Sequence, residues 1–194
     1  MWTDDLELPE GRAFHTSSEP LPSLEMIRAF CSRTPQHIDT KPTGLWYGDG
    51  NSWLEWMETE ALSRLEDVRY VYELHVSPDI LRITDGKQLR EFHNHFEGRS
   101  SPAVPRFPEL LRGMHIDWAA VAEEYPGIQI IPYQWENRHS PDMRWYYGWD
   151  VASGCIWHPA GIEGVKLFAA QFGWPSRGKH GNTFDRIDRS DPPR

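Results

Sequence analysis

Two short segments of the sequence carry the residue types that could do chemistry. Phe14-His15-Thr16-Ser17 places one imidazole and two hydroxyls on a predicted strand. Further along, residues 41–48 read Lys-Pro-Thr-Gly-Leu-Trp-Tyr-Gly, an apolar strand core between two glycines. An imidazole, hydroxyls and the rings of Trp46 and Tyr47 at strand edges can hold a flat, charged ligand between an aromatic face and hydrogen-bonding groups.

The elements that must position these side chains follow from hydrophobic periodicity and turn residues. Strands are predicted at 12–16, 45–47, 70–76, 80–83, 128–133, 145–151 and 155–157, and helices at 24–30, 51–65, 87–96 and 118–125. Residues 161–172 are predicted to form a last strand or a short helix. Strands and helices alternate irregularly, which predicts an α+β fold with mixed or antiparallel sheets and flanking helices.

Length, charge and composition limit the kinds of protein that this sequence can encode. A chain of 194 residues suits one well-buried core, so we predict a single domain at 12–174 and a disordered tail at 175–194. The formal charge of −9 argues against a nucleic-acid backbone or a membrane as the main partner. The acidic start of the sequence and the lack of a long apolar run predict a cytoplasmic protein without a signal peptide or membrane span.

The sequence gives little support for a metal site or for the active site of a hydrolase. Among the nine histidines, His93 and His95 stand two apart in a helical pattern, so their rings diverge, and no metal-ligand spacing occurs. We therefore predict no metal. No Gly-x-Ser-x-Gly elbow occurs, and Cys155 is better interpreted as a small apolar core residue than as a nucleophile.

Sugar binding is a second possibility. Ten tryptophans on an acidic chain are typical of carbohydrate sites, although nothing in the sequence pairs two carboxylates as acid and base. A carbohydrate-binding domain therefore remains an alternative.

The two opening segments resemble the ADP-ribosyltransferase superfamily, in particular small bacterial and phage members whose first strand carries His followed by Thr or Ser. Residues 41–47 resemble the second element of that family. Tyr125-Pro126-Gly127-Ile128 is similar to a late Tyr-Asp-Gly-Ile turn and strand, with Pro126 replacing the acid, and residues 149–159 resemble the closing strand pair. The resemblance covers residues 12–165 and implies a split β-sandwich.

The resemblance implies NAD as the substrate, bound without a metal. His15 would hydrogen-bond a ribose hydroxyl, and Thr16 and Ser17 would reach the pyrophosphate or a ribose. Trp46 or Tyr47 would stack on the cationic nicotinamide, a contact worth about 1 kcal/mol.

Cleavage of the nicotinamide bond produces an oxocarbenium-like sugar, which a nearby carboxylate stabilises. Asp150 is the first candidate for that carboxylate and Glu136 the second. The implied catalytic set is therefore His15, Tyr47 and Asp150, and we expect these three side chains to converge on one cleft.

Two departures from the family pattern bear on catalysis. Asp150 stands where the family uses Glu, and a reach shorter by ~1 Å can lower a rate ~100-fold. Gln129 occupies a position where an acid would be favoured. The sequence thus predicts an NAD-dependent mono-ADP-ribosyltransferase, toxin-like or a phage-conflict effector, with a protein or nucleic-acid acceptor. A non-catalytic interaction module on the same fold is the further alternative.

Overall fold

The computed structural model describes residues 6–31, 35–98, 113–171 and 185–186. The α-helices are α1 (Leu24–Cys31), α2 (Ser52–Glu60), α3 (Leu62–Asp67), α4 (Gly86–Phe96) and α5 (Trp118–Glu124). The strands are β1 (Ala13–Ser17), β2 (Ile38–Asp39), β3 (Leu45–Asp49), β4 (Tyr70–Val76), β5 (Leu81–Ile83), β6 (Ile116–Asp117), β7 (Gly127–Ile130), β8 (Ser153–Ile156), β9 (Ile162–Ala170) and β10 (Asp185–Arg186). Single turns of 3₁₀ helix span Trp135–Asn137, Arg144–Gly148 and Pro159–Gly161.

One eight-stranded sheet organises the molecule. Its strand order is β10-β9-β4-β1-β3-β8-β7-β5, and among the described strands only β5 and β7 are parallel neighbours. A separate two-stranded sheet pairs β2 with β6. The predicted α+β class with a mostly antiparallel sheet and flanking helices is therefore confirmed.

The ladder between β1 and β3, in the middle of the sheet, is short. Strand β1 pairs with β4 at five positions but with β3 at only two, Ala13 with Asp49 and Phe14 with Gly48. Beyond Phe14 the two strands stop pairing. His15 and Trp46 lie just past this point, so two of the residues predicted to bind the cofactor flank the place where the ladder ends.

The helices cover the sheet in three buried clusters. The first packs α4, α5, Trp145 of the Arg144–Gly148 helix and the following Trp149 on β7 and β8, and Trp46 borders it. The second packs α2 and α3 on β1, β4 and β9. The third holds Tyr47 together with residues of α1, β4 and β8. Because successive strand residues alternate between faces, Trp46 and Tyr47 belong to different clusters on opposite faces.

Several sequence predictions need correction. Residues 145–151 do not form a strand: Arg144–Gly148 is a 3₁₀ helix, and Trp145, Tyr146 and Trp149 all face the core from it. The predicted helix at 51–65 is divided at Ala61, whose φ of −148° lies outside the helical region. The stretch 161–172 resolves to a strand over Ile162–Ala170.

The predicted tail is described only at one point. Asp185 and Arg186 pair with Ala170 and Ala169, so these two residues extend the sheet. The remainder of 175–194 lies outside the described residues. Within the described residues, no helix combines the length and apolar character that crossing a membrane would require.

Candidate functional site

His15 is fixed at the end of the β1–β3 ladder. Its backbone pairs with Tyr72 on β4, and its ring turns toward β3, where Nδ1 lies 2.7 Å from the carbonyl oxygen of Trp46. A carbonyl can only accept, so Nδ1 carries the proton and donates. Burial lowers the pKa of His15 and keeps the ring neutral. The neutral ring leaves Nε2 as an acceptor for a ligand hydroxyl.

A cavity of about 300 Å³, here called the histidine cavity, opens beside this ring. Four of the five residues predicted to bind the cofactor line it. Its walls come from β1, β3, α2 and α3: His15, Thr16, Ser17, Ser18, Trp46, Trp53, Trp56, Met57, Arg64, Asp67 and Val68. The structure thus brings the first predicted segment and the indole of the second together in one place.

The hydroxyls of this cavity differ in availability. The Ser17 hydroxyl donates to the carbonyl of Glu19 at 2.6 Å and accepts from the Glu19 amide at 3.2 Å, so it is engaged locally. Within the described residues the Thr16 hydroxyl makes no hydrogen bond. Arg64 is exposed at the cavity wall and forms no ion pair with a described carboxylate. Thr16 and Arg64 are therefore the donors free to meet an anionic or hydroxylated ligand.

Helix α2 supplies two further indoles to the histidine cavity, Trp53 and Trp56, which were not among the predicted site residues. Trp53 and Trp56 stand three residues apart on one helix face and meet edge to face, with ring centroids 5.4 Å apart. Both are only partly buried and line the histidine cavity. The signal available in the sequence was their spacing, which places two large rings side by side on a short helix directly after the Trp46 strand.

Asp150 lies in a second, larger cavity. This cavity of about 950 Å³, here called the aromatic cavity, runs between α2 and the two 3₁₀ turns that follow β7. Its walls are Ser52, Glu55, Trp56, Thr59, Glu60, Pro132, Tyr133, Trp135, Arg138, Tyr147, Asp150, Val151 and Ala152. Trp56 lines both cavities, so the two adjoin at that indole.

Lys41 connects Asp150 to the histidine side. Its ammonium lies 3.2 Å from the Asp150 carboxylate and 5.4 Å from the centroid of the Trp46 ring. The Trp46 ring also meets Trp149 edge to face at 4.8 Å. Lys41 therefore provides a cation at the Trp46 ring and partly compensates the charge of Asp150.

Tyr47 lines neither the histidine cavity nor the aromatic cavity. It points to the opposite face, is fully buried, and lines a separate cavity of about 240 Å³ with Arg12, Asp49 and Arg82. The expected convergence of His15, Tyr47 and Asp150 on one cleft is therefore not observed. Strand alternation separates Tyr47 from Trp46, since adjacent residues of β3 cannot share a face.

Tyr47 has a structural position instead. Its ring crosses Gly154 on β8, and its hydroxyl donates to Oε1 of Gln129 on β7 at 3.1 Å. A Cβ on Gly154 would overlap the phenol, so glycine is required for the crossing. Burial raises the pKa of Tyr47 far above its ordinary range. Gln129, the amide found where an acid was favoured, serves as the acceptor for this phenol.

Two further candidates are also placed apart from the histidine cavity. Glu136, the second choice for a catalytic carboxylate, is exposed on the Trp135–Asn137 turn and lines neither the histidine nor the aromatic cavity. Cys155 is fully buried in the core, and burial raises the pKa of its thiol. An inaccessible thiol with a raised pKa is a poor nucleophile.

Comparisons with known proteins add no relative. No family model matches the chain, and searches of curated proteins and of solved structures return no match either.

Proposed function

We propose that this chain binds NAD across the histidine and aromatic cavities and transfers its ADP-ribosyl group. The observation that carries the proposal is the meeting of His15, Thr16, Ser17 and Trp46 in one cavity, next to the cavity that holds Asp150. These residues come from distant parts of the chain and were grouped by their resemblance to the ADP-ribosyltransferases. The split sandwich of that superfamily is part of the same proposal and is supported by the early end of the β1–β3 ladder.

The histidine cavity offers the groups that a dinucleotide needs. Nε2 of His15 accepts from a ribose hydroxyl, since Nδ1 is committed to the Trp46 carbonyl. Arg64 supplies a positive charge for the pyrophosphate, assisted by the Thr16 hydroxyl. Trp46, Trp53 and Trp56 present aromatic faces and edges to the rings of the ligand.

The aromatic cavity contributes the carboxylate. With the nicotinamide ribose next to Trp56, Asp150 stabilises the positive charge that develops on C1′ as the bond to nicotinamide breaks. The acceptor nucleophile then forms the new bond to C1′ and releases its proton to solvent or to Asp150. Lys41 moderates this effect because its ammonium already pairs with the carboxylate.

A non-catalytic NAD-binding module is the second candidate, and the Lys41–Asp150 pair is the observation that favours it. A carboxylate that is paired with an ammonium 3.2 Å away presents less negative charge to a developing oxocarbenium ion. In that case the two cavities bind the dinucleotide without cleaving it.

Calorimetric titration with NAD, together with an assay of nicotinamide release, tests the proposal. We expect NAD binding by the wild type, lost affinity in His15→Ala, and retained affinity with abolished release in Asp150→Asn. His75→Ala is the matched control, because His75 is exposed on the neighbouring strand β4 and lines neither cavity. Binding without release supports the second candidate. Absence of NAD binding by the folded wild type rejects both.

A further inference from the structure

One buried polar group of the aromatic cavity has no partner. The Tyr133 side chain is only 8% exposed, and its hydroxyl makes no hydrogen bond within the described residues. The neighbouring Tyr146, whose ring stacks on Tyr133 at a centroid distance of 5.2 Å, does have a partner. Its hydroxyl accepts from the backbone amide of Gln134 at 2.8 Å. A buried hydroxyl without a partner is unfavourable, and a functional role or a bound water or ion is among the explanations for such a group in a native structure.

A cation in the same cavity also lacks a polar partner. The guanidinium of Arg138 lies 5.3 Å from the ring centroid of Tyr147, 5.6 Å from that of Trp135 and 5.9 Å from that of Tyr133. Within the described residues it forms no ion pair, although the chain carries a net charge of −9. Three aromatic rings fix its position, so its N–H groups remain available as donors.

Two of the three rings around Arg138 are open to solvent. Trp135 is 68% exposed and Tyr147 is 56% exposed, whereas the other seven described tryptophans are buried or partly buried. Trp135 also meets Tyr133 edge to face, with ring centroids 4.7 Å apart. A flat exposed indole beside fixed hydrogen-bonding groups is suited to the C–H face of a ring-shaped ligand.

The charges of the cavity select the class of ligand. Arg138 and the Tyr133 hydroxyl donate, whereas the carboxylates of Glu55, Glu60 and Asp150 accept. Three carboxylates against one guanidinium disfavour a polyanion such as a nucleic-acid strand. A neutral ring rich in hydroxyls satisfies donors and acceptors together, because each hydroxyl both donates and accepts.

We propose that the aromatic cavity binds a neutral saccharide, with one sugar ring on Trp135 and its oxygens on the Tyr133 hydroxyl and Arg138. The inference goes beyond the proposed NAD chemistry and needs no NAD. Under that chemistry the sugar would stand next to Asp150, in the place of an acceptor.

Saturation-transfer NMR and tryptophan fluorescence titration of the full chain, without NAD, test the proposal. The probes are maltotriose, cellotriose and triacetylchitotriose. We expect millimolar binding of at least one trisaccharide. Tyr133→Phe keeps the ring and removes only the unpartnered hydroxyl, so it should weaken binding about three- to tenfold.

Two further variants make the result decisive. Trp135→Ala should abolish saccharide binding, and Tyr70→Phe should leave it unchanged, because Tyr70 stacks on Tyr72 outside the cavity. Failure of all three trisaccharides, or unchanged affinity in Tyr133→Phe, overturns the proposal. None of these outcomes depends on whether NAD binds.

Discussion

Trp46 and Tyr47 are consecutive residues of β3 that serve opposite faces of the eight-stranded sheet. Trp46 lines the histidine cavity, whereas Tyr47 is fully buried on the other side and hydrogen-bonds to Gln129. The aromatic partners of Trp46 at the cavity therefore come from α2 and not from its own strand. Because the two residues lie on opposite faces, mutating one or the other should have different measurable effects.

Because Trp46 lines the histidine cavity and Tyr47 does not, substitutions of these two residues should affect NAD binding differently. Trp46→Leu removes an aromatic face and should weaken NAD binding about fivefold, as expected for a lost cation–π contact of about 1 kcal/mol. Tyr47→Phe should leave NAD affinity unchanged because its hydroxyl lies on the opposite face. Calorimetric titration of both variants checks this, and a larger loss in Tyr47→Phe would contradict the assignment.

The same substitution at two buried tyrosines should change stability in different directions. Tyr47→Phe removes a hydrogen bond to Gln129 and should lower the free energy of unfolding by about 1 kcal/mol. Tyr133→Phe removes a hydroxyl that has no partner within the described residues, so stability should be unchanged or slightly higher. Urea denaturation at neutral pH measures both, and equal losses would show that the Tyr133 hydroxyl is satisfied.

Gly154 should tolerate no side chain. A Cβ there would overlap the phenol of Tyr47, so Gly154→Ala should destabilise the fold by about 1–3 kcal/mol, as in other overpacked cores. Gly148→Ala is the control, because its Cβ would meet only the flexible end of Lys41 at 3.3 Å. Thermal unfolding compares the two, and a Gly154→Ala melting temperature equal to that of the wild type would exclude the tight crossing.

His15 should make stability sensitive to mild acid. Burial lowers its pKa in the folded state, so as the pH falls the unfolded chain takes up the proton first, from about pH 6.5 downward. Folding stability contributed by the neutral ring is therefore complete above that pH and is lost below it. His15→Gln cannot titrate, so its urea midpoint should fall less than that of the wild type between pH 7.5 and 5.5.

Lys41 should restrain the chemistry attributed to Asp150. Lys41→Met removes the ammonium that lies 3.2 Å from the carboxylate, and nicotinamide release should rise several-fold if the proposed transfer takes place. Because both side chains are partly exposed, the change in stability should stay below about 1 kcal/mol. The release assay and a denaturation curve test the two statements separately, and a fall in release would assign Lys41 a supporting role.

The sequence predicted most elements because their signals are local. Strand β4 has the predicted bounds, and the helix predicted at 118–125 forms over Trp118–Glu124, with the Asp117 carboxylate accepting from the backbone amide of Ala120 at its start. The strand predicted at 145–151 was wrong because a run of aromatic residues is compatible with both the strand and the helix pattern. The burial of Trp145 and Tyr146 with exposure of Tyr147 is set by tertiary packing, which periodicity does not report.

The site was predictable only in part. His15, Thr16 and Ser17 lie on one predicted strand, but neighbouring strand residues alternate between faces, so their adjacency alone does not predict that all three line one cavity. Whether Trp46 or Tyr47 faces them depends on the register of β3 against β1, which only the three-dimensional structure gives. The open aromatic rings around Arg138 come from two separate 3₁₀ turns, and no local pattern brings those turns together.

The two residue pairs that join β1 to β3 create a mechanical weak point in the centre of an otherwise continuous sheet. The third buried cluster spans this join, because it contains Tyr72 of β4 as well as Tyr47 of β3. Side-chain packing, rather than backbone hydrogen bonding, therefore holds the two parts of the sheet together at this point.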